Sequence, residues 1–236
     1  MNPASDKSVN DVTMDWSPIW LSLKLSLFTT LILLLIGLPV AYWLSRKSSI
    51  PKIILEAIIT MPLVLPPSVL GFYLLLAFSP QNALGKWLHE TFNVQLVFSF
   101  SGLILASILY SLPFMINPVK SAFSQLPVSI SEASYTMGKS RTQTLFHVLI
   151  PNIKSSIFTA AVLTFAHTLG EFGVVLMIGG NIPGVTKVAS IAIYDSVERM
   201  DYANANNYSL ILFAITFVIV ITVFVLNRRL VKSPLE

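Results

Sequence analysis

The residues that could do chemistry in this chain lie in two settings: a polar stretch, residues 127–151, and a few charged side chains inside apolar runs. Within the polar stretch, residues 133–140 read ASYTMGKS, which fits a loose form of the phosphate-binding Walker A pattern. Such a loop needs a buried strand before it and flexible glycines whose N–H groups wrap the phosphates. Gly138 is the only glycine of the stretch, and no strand pattern precedes it. The sequence therefore predicts no nucleotide site here.

Ionisable side chains inside the apolar runs include Lys24, His167 and Glu171. Charges at such positions are costly in a membrane and usually functional. Glu171, one turn after His167, can pair with a Lys or Arg, cap a broken helix or line a pathway, and we favour a structural pair or network. Lys24 lies near one end of its run, where it either extends to the membrane surface or faces a cavity and attracts an anion. Glu56 lies nearer the opposite face and is expected to be solvated.

The composition is that of an integral membrane protein. Of the 236 residues, 54% are hydrophobic and only 11% are charged, and the mean hydropathy is +0.75, whereas soluble domains carry about 25% charged residues. The chain has no cysteine, and its three histidines have no metal-ligand spacing, so neither a disulfide nor a metal or other cofactor is expected. The net charge of +4 fits basic residues at membrane faces, and no nucleic-acid partner is predicted.

Five apolar runs are long enough to cross a bilayer, which takes about 20 residues of helix. The predicted spans are residues 19–44, 53–78, 97–119, 153–178 and 208–226. The second span contains Pro62, Pro66 and Pro67, which break the helix ladder, and broken backbone within a membrane belongs inside a bundle or along a cavity. We therefore expect Pro66 and Pro67 to line a pathway rather than to form a simple kink. A short external helix, residues 188–200, is predicted before the fifth span.

The distribution of Lys and Arg predicts the orientation. Of the 15 Lys and Arg residues, ten fall on one side of the five spans, four fall on the other and Lys24 lies within a span. Cytoplasmic loops carry the excess of positive charge. We therefore expect an external N-terminal tail, residues 1–18, and a cytoplasmic C-terminal tail, residues 230–236. Residues 19–229 are predicted to form a single all-α membrane domain whose central polar stretch faces the cytoplasm.

The central polar stretch carries helix signals of its own. Ser129 or Ser131 can cap a helix N-terminus, and Glu132 is then expected in the first turn, facing the positive end of the helix dipole. Gly138 can end this helix, because glycine takes the left-handed conformation without strain. A second amphipathic piece, residues 142–150, is expected to stop at Pro151. These signals predict two short helices joined by a glycine hinge at a membrane surface, with an ordinary cytoplasmic loop as the alternative.

The same stretch resembles the EAA loop of ABC-transporter permeases, which has the form E-A-A, three residues, G, nine residues, I-x-L-P. The spacing matches throughout, and the departures are small or apolar exchanges. The matching residues are Glu132, Ala133, Ser134, Gly138, Val148, Ile150 and Pro151. The resemblance implies that this stretch is a coupling helix, which docks in a groove on a separate ATPase subunit.

The resemblance extends along most of the chain. The segments LSLKLSL, MPLVLPPSVLGF and LGEFGVVLMIGGNIPG occur in the order found in the molybdate and sulfate permeases of ABC importers. The family implies a permease homodimer, two ATPase subunits and a periplasmic or lipid-anchored oxyanion-binding protein, in the inner membrane of a prokaryote. It implies no catalytic site in this chain. Because the chain lacks an additional first span, it resembles the compact molybdate type; sulfate, tungstate and an ATPase-independent secondary anion transporter are the alternatives.

Overall fold

A computed structural model describes residues 14–231, with side chains up to residue 225. The described residues form helices and connecting turns, with no strand among them. The helices are α1 Ser17–Ser45, α2 Ile50–Thr60, α3 Pro67–Phe78, α4 Ala83–Phe92, α5 Phe100–Gln125, α6 Val128–Thr136, α7 Arg141–Thr144, α8 Ile150–Asn152, α9 Lys154–Leu169, α10 Gly173–Gly179, α11 Ala189–Glu198 and α12 Tyr202–Val231. The predicted all-α class is confirmed.

The centre of the bundle is formed by α1, α5 and α9, which pack against one another. Their contact surface is apolar and close-packed: Leu33, Met115 and Ala160 are fully buried. Gly37 of α1 lies so close to Met115 of α5 that a Cβ atom at residue 37 would be 2.9 Å from Met115 Cγ. The predicted first and third spans thus correspond to continuous helices, α1 and α5.

The predicted second span is not one helix. It consists of α2, a 3₁₀ turn at Met61–Leu63 and α3, and α2 and α3 are bent by 111° from each other. Two consecutive prolines cause the break, because neither Pro66 nor Pro67 has an N–H to donate and each disfavours helical geometry in the residue before it. Pro67 starts α3, where a missing N–H costs nothing.

The predicted fourth span is also interrupted. Helix α9 ends at Leu169, and the chain turns through residues 170–172 before α10 begins at Gly173. The expectation of one helix over residues 153–178 is therefore wrong, because two glycines flank Glu171 and Phe172 and weaken the helix there. Three helices of the described chain, α1, α5 and α12, are long and apolar enough to span a membrane. The number of spans rises to as many as five if two bent pairs each count as one: residues 50–63 with α3, and residues 141–152 with α9.

The central stretch folds as two helical pieces around Gly138, as predicted, but its first helix begins earlier. Helix α6 starts at Val128 with Pro127 at the N-cap, so Ser129 and Ser131 lie inside it and neither caps it. Glu132 is consequently beyond the first turn. Proline at the N-cap fixes the helix start, because its φ is already near the helical value.

The second helical piece runs on through Pro151. It comprises α7, a π-helical segment at Leu145–Leu149 and α8, which ends at Asn152, and it is bent by 73° from α9. The expected stop at Pro151 is therefore one residue early. Wider π-helical winding immediately before Pro151 relieves the clash of its ring with the preceding turn.

Helix α4 lies between α3 and α5 in the chain, and α11 confirms the helix predicted before the last span. Helix α12 begins at Tyr202, earlier than the predicted residue 208, because Asp201 caps it: the N–H of Asn204 donates to Asp201 Oδ1 over 3.1 Å. Of the predicted terminal tails, residues 1–13 and 232–236 lie outside the described residues.

Candidate functional site

The two interrupted spans meet at their breaks. Helix α10 packs against α3, and a Cβ atom on Gly173 would lie 2.7 Å from Pro67 Cβ. One turn along, a Cβ atom on Gly71 would lie 2.7 Å from Met177 Cβ. Both distances are too short for a side chain, so the glycines allow the two backbones to approach. The structure thus joins the proline break with the Glu171 region, although Pro67 and Gly173 are 106 residues apart in the sequence. We call this contact the paired break.

Glu171 closes the start of α10. Its side chain is buried, with the residue 6% exposed, and Oε1 accepts a hydrogen bond from the N–H of Val174 over 2.9 Å. Its backbone carbonyl accepts a hydrogen bond from the Ser190 hydroxyl on α11. Among the described residues Glu171 has no Lys or Arg partner within ion-pair distance. Of the three roles considered from the sequence, the geometry corresponds to capping a broken helix.

His167 lies at the contact between α9 and α5. Its ring stacks on Phe114, with the ring centroids 3.9 Å apart, and its Nδ1 is 3.1 Å from the Ser111 hydroxyl. Ser111 is also hydrogen-bonded to the Thr168 hydroxyl over 3.0 Å. The imidazole therefore belongs to a packed polar network between two helices.

Lys24 occupies the outside of the single chain. Its side chain is exposed, and Nζ lies 5.3 Å from the centroid of the Trp20 ring, which is itself on the exposed face of α1. This cation–aromatic contact holds the ammonium group against the helix surface. The surface bearing Lys24 is open to lipid or to a second copy of the chain.

In the central stretch, α6 is fixed to α7 by a buried hydrogen bond and exposes one face. The hydroxyls of Ser134 and Thr144 are hydrogen-bonded over 2.8 Å, and both residues are buried. Between them Gly138 has φ +78°, in the left-handed region. Glu132 and Ala133 are exposed on α6. This arrangement fixes the angle between the two helical pieces and leaves one face of α6 free.

The rest of the stretch anchors it to the bundle. Leu149 and Ile153 are buried in the core cluster that contains α1 and α5, and Ile150 packs against it. Val148 is half-buried, its carbonyl accepting from the Asn152 amide over 2.7 Å, and Pro151 is exposed. The apolar end of the motif therefore serves packing, whereas the Glu132–Ala133 end is accessible.

Several residues of the site were not singled out from the sequence. Ser140 and Gln143 form a capping box: the Gln143 N–H donates to Ser140 Oγ over 3.3 Å and the Ser140 N–H donates to Gln143 Oε1 over 2.9 Å. The spacing S-x-x-Q is a recognised signal for this arrangement. The ion pair between Lys120 and Glu56 was missed as well. Glu56 is therefore paired with α5 rather than simply solvated.

Residues 133–140, which fit the loose Walker A pattern, form the end of α6 and the turn at Gly138. A helix thus precedes the glycine where a phosphate-binding loop requires a strand.

Comparison with known proteins decides the family. Residues 33–234 match the family described as "Binding-protein-dependent transport system inner membrane component". The chain belongs to this family. The match spans most of the chain, including the paired break and the central stretch. The chain is accordingly a multi-pass inner-membrane component of a binding-protein-dependent transport system, and the fold predicted from the resemblance is confirmed.

Individual relatives agree. The chain is 44% identical over 192 residues to the molybdenum transport system permease protein ModB of Azotobacter vinelandii, covering 81% of this chain and 85% of the relative. It is 32% identical over 183 residues to a putative molybdenum permease, YvgM, of Bacillus subtilis, covering 78% and 81%. A probable sulfate permease, cysT, of Chlorella vulgaris matches at 32% over 186 residues, covering 79% and 70%.

The fold has solved counterparts. An inward-facing structure of the MetNI methionine ABC transporter superimposes with a TM-score of 0.70, covering 90% of this chain and 94% of that chain at 18% identity. At this identity the likeness concerns the fold alone.

Proposed function

We propose that this chain is the permease subunit of an ATP-driven importer and forms the pathway by which molybdate crosses the inner membrane. The observation that carries the proposal is the 44% identity to a molybdenum permease over most of both chains, in a protein whose α6 is fixed at its base and exposed on one face. In this proposal residues 19–229 are one permease domain, residues 1–18 are external and residues 230–236 are cytoplasmic.

The coupling element is the central stretch. Val128, Tyr135 and Met137 are exposed on or beside α6, with 70%, 37% and 76% of their surface accessible. Apolar side chains displayed on a short helix suit a helix-in-groove contact with another protein. The exposed carboxylate of Glu132 adds a polar contact at the same face. We assign this face to the ATPase subunit, in two copies per importer, one for each permease.

The other partners follow from the exposed surfaces and the family. Helix α12 displays a row of large apolar side chains, including Leu210, Phe213 and Phe217. Such a face must contact lipid or another helix. In a membrane-embedded permease homodimer, the bilayer supplies the lipid and the second copy supplies the helix. A periplasmic or lipid-anchored molybdate-binding protein delivers the anion from outside. ATP hydrolysis belongs to the ATPase subunit, and the permease has no catalytic role.

The paired break is the proposed gate. Two interrupted spans that touch through glycines can shift relative to each other without breaking a continuous helix, as alternating access requires. Pro66 and Pro67 form one side of it. On the other side Glu171 holds the start of α10, while His167 fixes the end of α9 to α5. These acidic and aromatic groups support the gate and are not anion ligands.

Lys24 attracts the anion in this proposal. Its ammonium is on the exposed face of α1, so it reaches a cavity only where a second chain packs beside it. Lys24→Gln is then expected to lower uptake while ATPase assembly remains intact, and Lys24→Arg is expected to restore it. Unchanged uptake kinetics in Lys24→Gln would mean that Lys24 does not attract the anion and only contacts Trp20 at the surface.

The orientation is tested by cysteine labelling, since the chain has no cysteine of its own. Met137 and Gln81 are exposed and lie at opposite ends of the bundle in the proposed topology. A membrane-impermeant thiol reagent applied to intact cells should label Gln81→Cys and should label Met137→Cys only after permeabilisation. The reverse pattern would place the central stretch outside and remove it from the ATPase.

Substrate choice is tested by competition. The importer, with its binding protein and ATPase, is reconstituted in vesicles, and uptake of labelled molybdate is measured with excess tungstate, sulfate or phosphate. Molybdate and tungstate are expected to compete strongly and sulfate weakly. Preferential uptake of sulfate would assign the chain to the sulfate branch, while leaving the permease role intact. Because the binding protein delivers the anion, the same measurement is made with its concentration varied.

A further inference from the structure

A cationic cavity lies where the end of α1 meets α7. Its volume is about 330 Å³, and it is lined by Tyr42, Arg46, Arg141, Thr142 and Leu145. The two guanidinium groups come from elements about 95 residues apart, so the fold, not a local run of basic residues, brings them together. None of the described residues that line it carries a carboxylate. The cavity therefore has a concentrated positive charge with hydroxyl groups beside it.

Arg46 is held in position without being neutralised. Its guanidinium carbon lies 4.7 Å from the centroid of the Tyr42 ring, and the guanidinium donates to the Tyr42 hydroxyl. The Tyr42 ring in turn packs edge-on against Phe123, with centroids 5.2 Å apart. Within residues 14–225, neither Arg46 nor Arg141 forms an ion pair. A preorganised arginine lacking an anionic partner is available to an external anion.

The cavity lies at a membrane surface. Arg46 directly follows the last residue of α1, a 29-residue apolar helix. On the neighbouring side of the helix end, Lys52 Nζ lies 4.7 Å from the Trp43 ring centroid, and Trp43 is exposed. Aromatic rings with basic side chains mark the headgroup level of a bilayer. The cavity lies at the headgroup level whether the central stretch faces the cytoplasm or the outside.

A second cavity, about 180 Å³ in volume, adjoins the first and shares Tyr42 and Arg46 with it. Its lining includes the apolar side chains of Phe123, Leu126 and Leu149 together with serine hydroxyls. A free inorganic anion would contact the arginine and hydroxyl groups of the two cavities but not the apolar side chains of the second. An anionic group that carries a hydrocarbon portion matches both parts.

We propose that this cavity binds the phosphate of an anionic phospholipid headgroup through Arg46 and Arg141. Arginine pairs with phosphate in a fixed bidentate geometry, and Thr142 and Tyr42 supply hydroxyls beside it.

The bound phosphate joins the end of α1 to the first turn of α7, and α7 is bonded to α6 through Thr144 and Ser134. The lipid thereby fixes the angle at which the central stretch leaves the bundle.

The test measures lipid retained by the full-length protein. Wild type, Arg46→Gln, Arg141→Gln and the double variant are purified in mild detergent from nanodiscs of phosphatidylcholine with phosphatidylglycerol, and bound phosphatidylglycerol is quantified by mass spectrometry. Each single variant should retain about fivefold less, from about 1 kcal/mol per basic residue at a membrane surface. Lys47→Gln is the matched control, because Lys47 is exposed beside Arg46 and outside the cavity lining. It should retain wild-type amounts.

Three outcomes would overturn the proposal. Equal loss in Lys47→Gln and Arg46→Gln would mean that only overall surface charge attracts lipid. Full retention in the double variant would mean that the cavity holds no headgroup. Arginine-dependent binding of inorganic phosphate by wild-type protein that retains no phosphatidylglycerol would mean that the cavity takes free phosphate instead of lipid. Arg46→Lys and Arg141→Lys guard against misfolding, since they keep the charge and should retain intermediate amounts. Transport is not the readout, so failure here leaves the importer role untouched.

Discussion

The hydroxyl of Ser134 in α6 is hydrogen-bonded to the hydroxyl of Thr144 in α7 over 2.8 Å, with both residues buried. This contact closes the hairpin of the central stretch around Gly138. It also explains a departure from the EAA pattern, in which Ser134 stands where the motif has alanine. The serine has a partner that alanine would leave unsatisfied.

Breaking this contact from one side should destabilise the protein more than removing both groups. Ser134→Ala or Thr144→Val leaves one buried hydroxyl without a partner, at a cost of about 1–3 kcal/mol. The double variant removes both hydroxyls and should recover most of that loss. The measurement is a double-mutant cycle on the thermal unfolding midpoint of the purified protein. Additive effects of the two substitutions would show that the hydroxyls do not act as a pair.

Gly138→Val should leave the protein inserted and folded but weaken its association with the ATPase. The glycine has φ +78°, and a Cβ atom there would meet nothing within 4 Å. The cost is therefore backbone strain alone, about 1–2 kcal/mol, which the hairpin relieves by changing the angle between its two pieces. Co-purification of the ATPase and ATP-driven uptake are measured together. Gly138→Asn is the control, because asparagine tolerates this conformation, and equal defects in both variants would contradict the explanation.

Gly173→Ala should impair transport or folding, whereas Gly170→Ala should be tolerated. A Cβ atom at residue 173 would lie 2.7 Å from Pro67 Cβ, while one at residue 170 would meet nothing nearer than 3.8 Å. Overpacking of this kind costs about 1–3 kcal/mol, and here it would push α3 away from α10. Uptake and thermal stability of both variants are compared with wild type. If Gly170→Ala were the more damaging of the two, the paired break would not be a close contact.

Substitutions at Glu171 separate a helix cap from a functional charge. Glu171→Gln keeps an oxygen that can accept from the Val174 N–H, so stability and uptake should stay near wild type. Glu171→Ala removes the acceptor from a buried site and should lower stability by about 1 kcal/mol. Thermal unfolding and uptake are measured for both. Loss of uptake in a stable Glu171→Gln protein would show that the negative charge itself is required.

Stability should fall in acid because of Asp195. Burial raises the pKa of its carboxyl, but the hydrogen bond and charge of Lys187 and the charge of Arg199 outweigh this effect and hold the pKa below its ordinary value. A lowered folded-state pKa stabilises the protein above the unfolded-state pKa, about 3.9, and the stabilisation is lost as the pH falls through the folded-state pKa. The unfolding midpoint of wild type should therefore drop below about pH 4.

Asp195→Asn should lower the midpoint at neutral pH and flatten its dependence on acid pH. Glu90→Gln is the matched control, since the Lys86–Glu90 ion pair lies at the surface. Its Nζ and Oε1 atoms are 3.8 Å apart, and both side chains are 64% exposed. An exposed pair of this kind contributes little. Identical acid profiles for wild type and Asp195→Asn would assign the pH dependence elsewhere.

The sequence predicted those features that depend on local composition. Long apolar runs predicted α1 and α5, and Gly138 predicted the turn of the central stretch, because each depends on residues near in the chain. It did not predict that α6 starts at Val128, because the cap was expected at Ser129 or Ser131 and not at Pro127. Proline decided the start because its backbone angle is fixed.

The paired break could not be predicted from the sequence for a different reason. Pro67 and Gly173 are 106 residues apart, and nothing in either segment identifies the other as its partner. Residue type indicated that each span was unusual. The reason for a glycine at residue 173 becomes visible only in the structure, where Pro67 packs against it and leaves no room for a Cβ atom. The partner of Ser134 was hidden similarly, because Thr144 lies across the hairpin and resembles an ordinary polar loop residue.

In the proposed importer, ATP hydrolysis by a separate subunit drives molybdate through this chain. The most direct measurement is uptake of labelled molybdate into proteoliposomes containing the permease, with the binding protein outside and ATP inside. The ATPase subunit is either present, absent or inactivated at its Walker B glutamate. Molybdate should accumulate only with the active ATPase and ATP. Concentrative uptake by the permease without the ATPase, driven by an ion gradient, would contradict it and identify a secondary anion transporter.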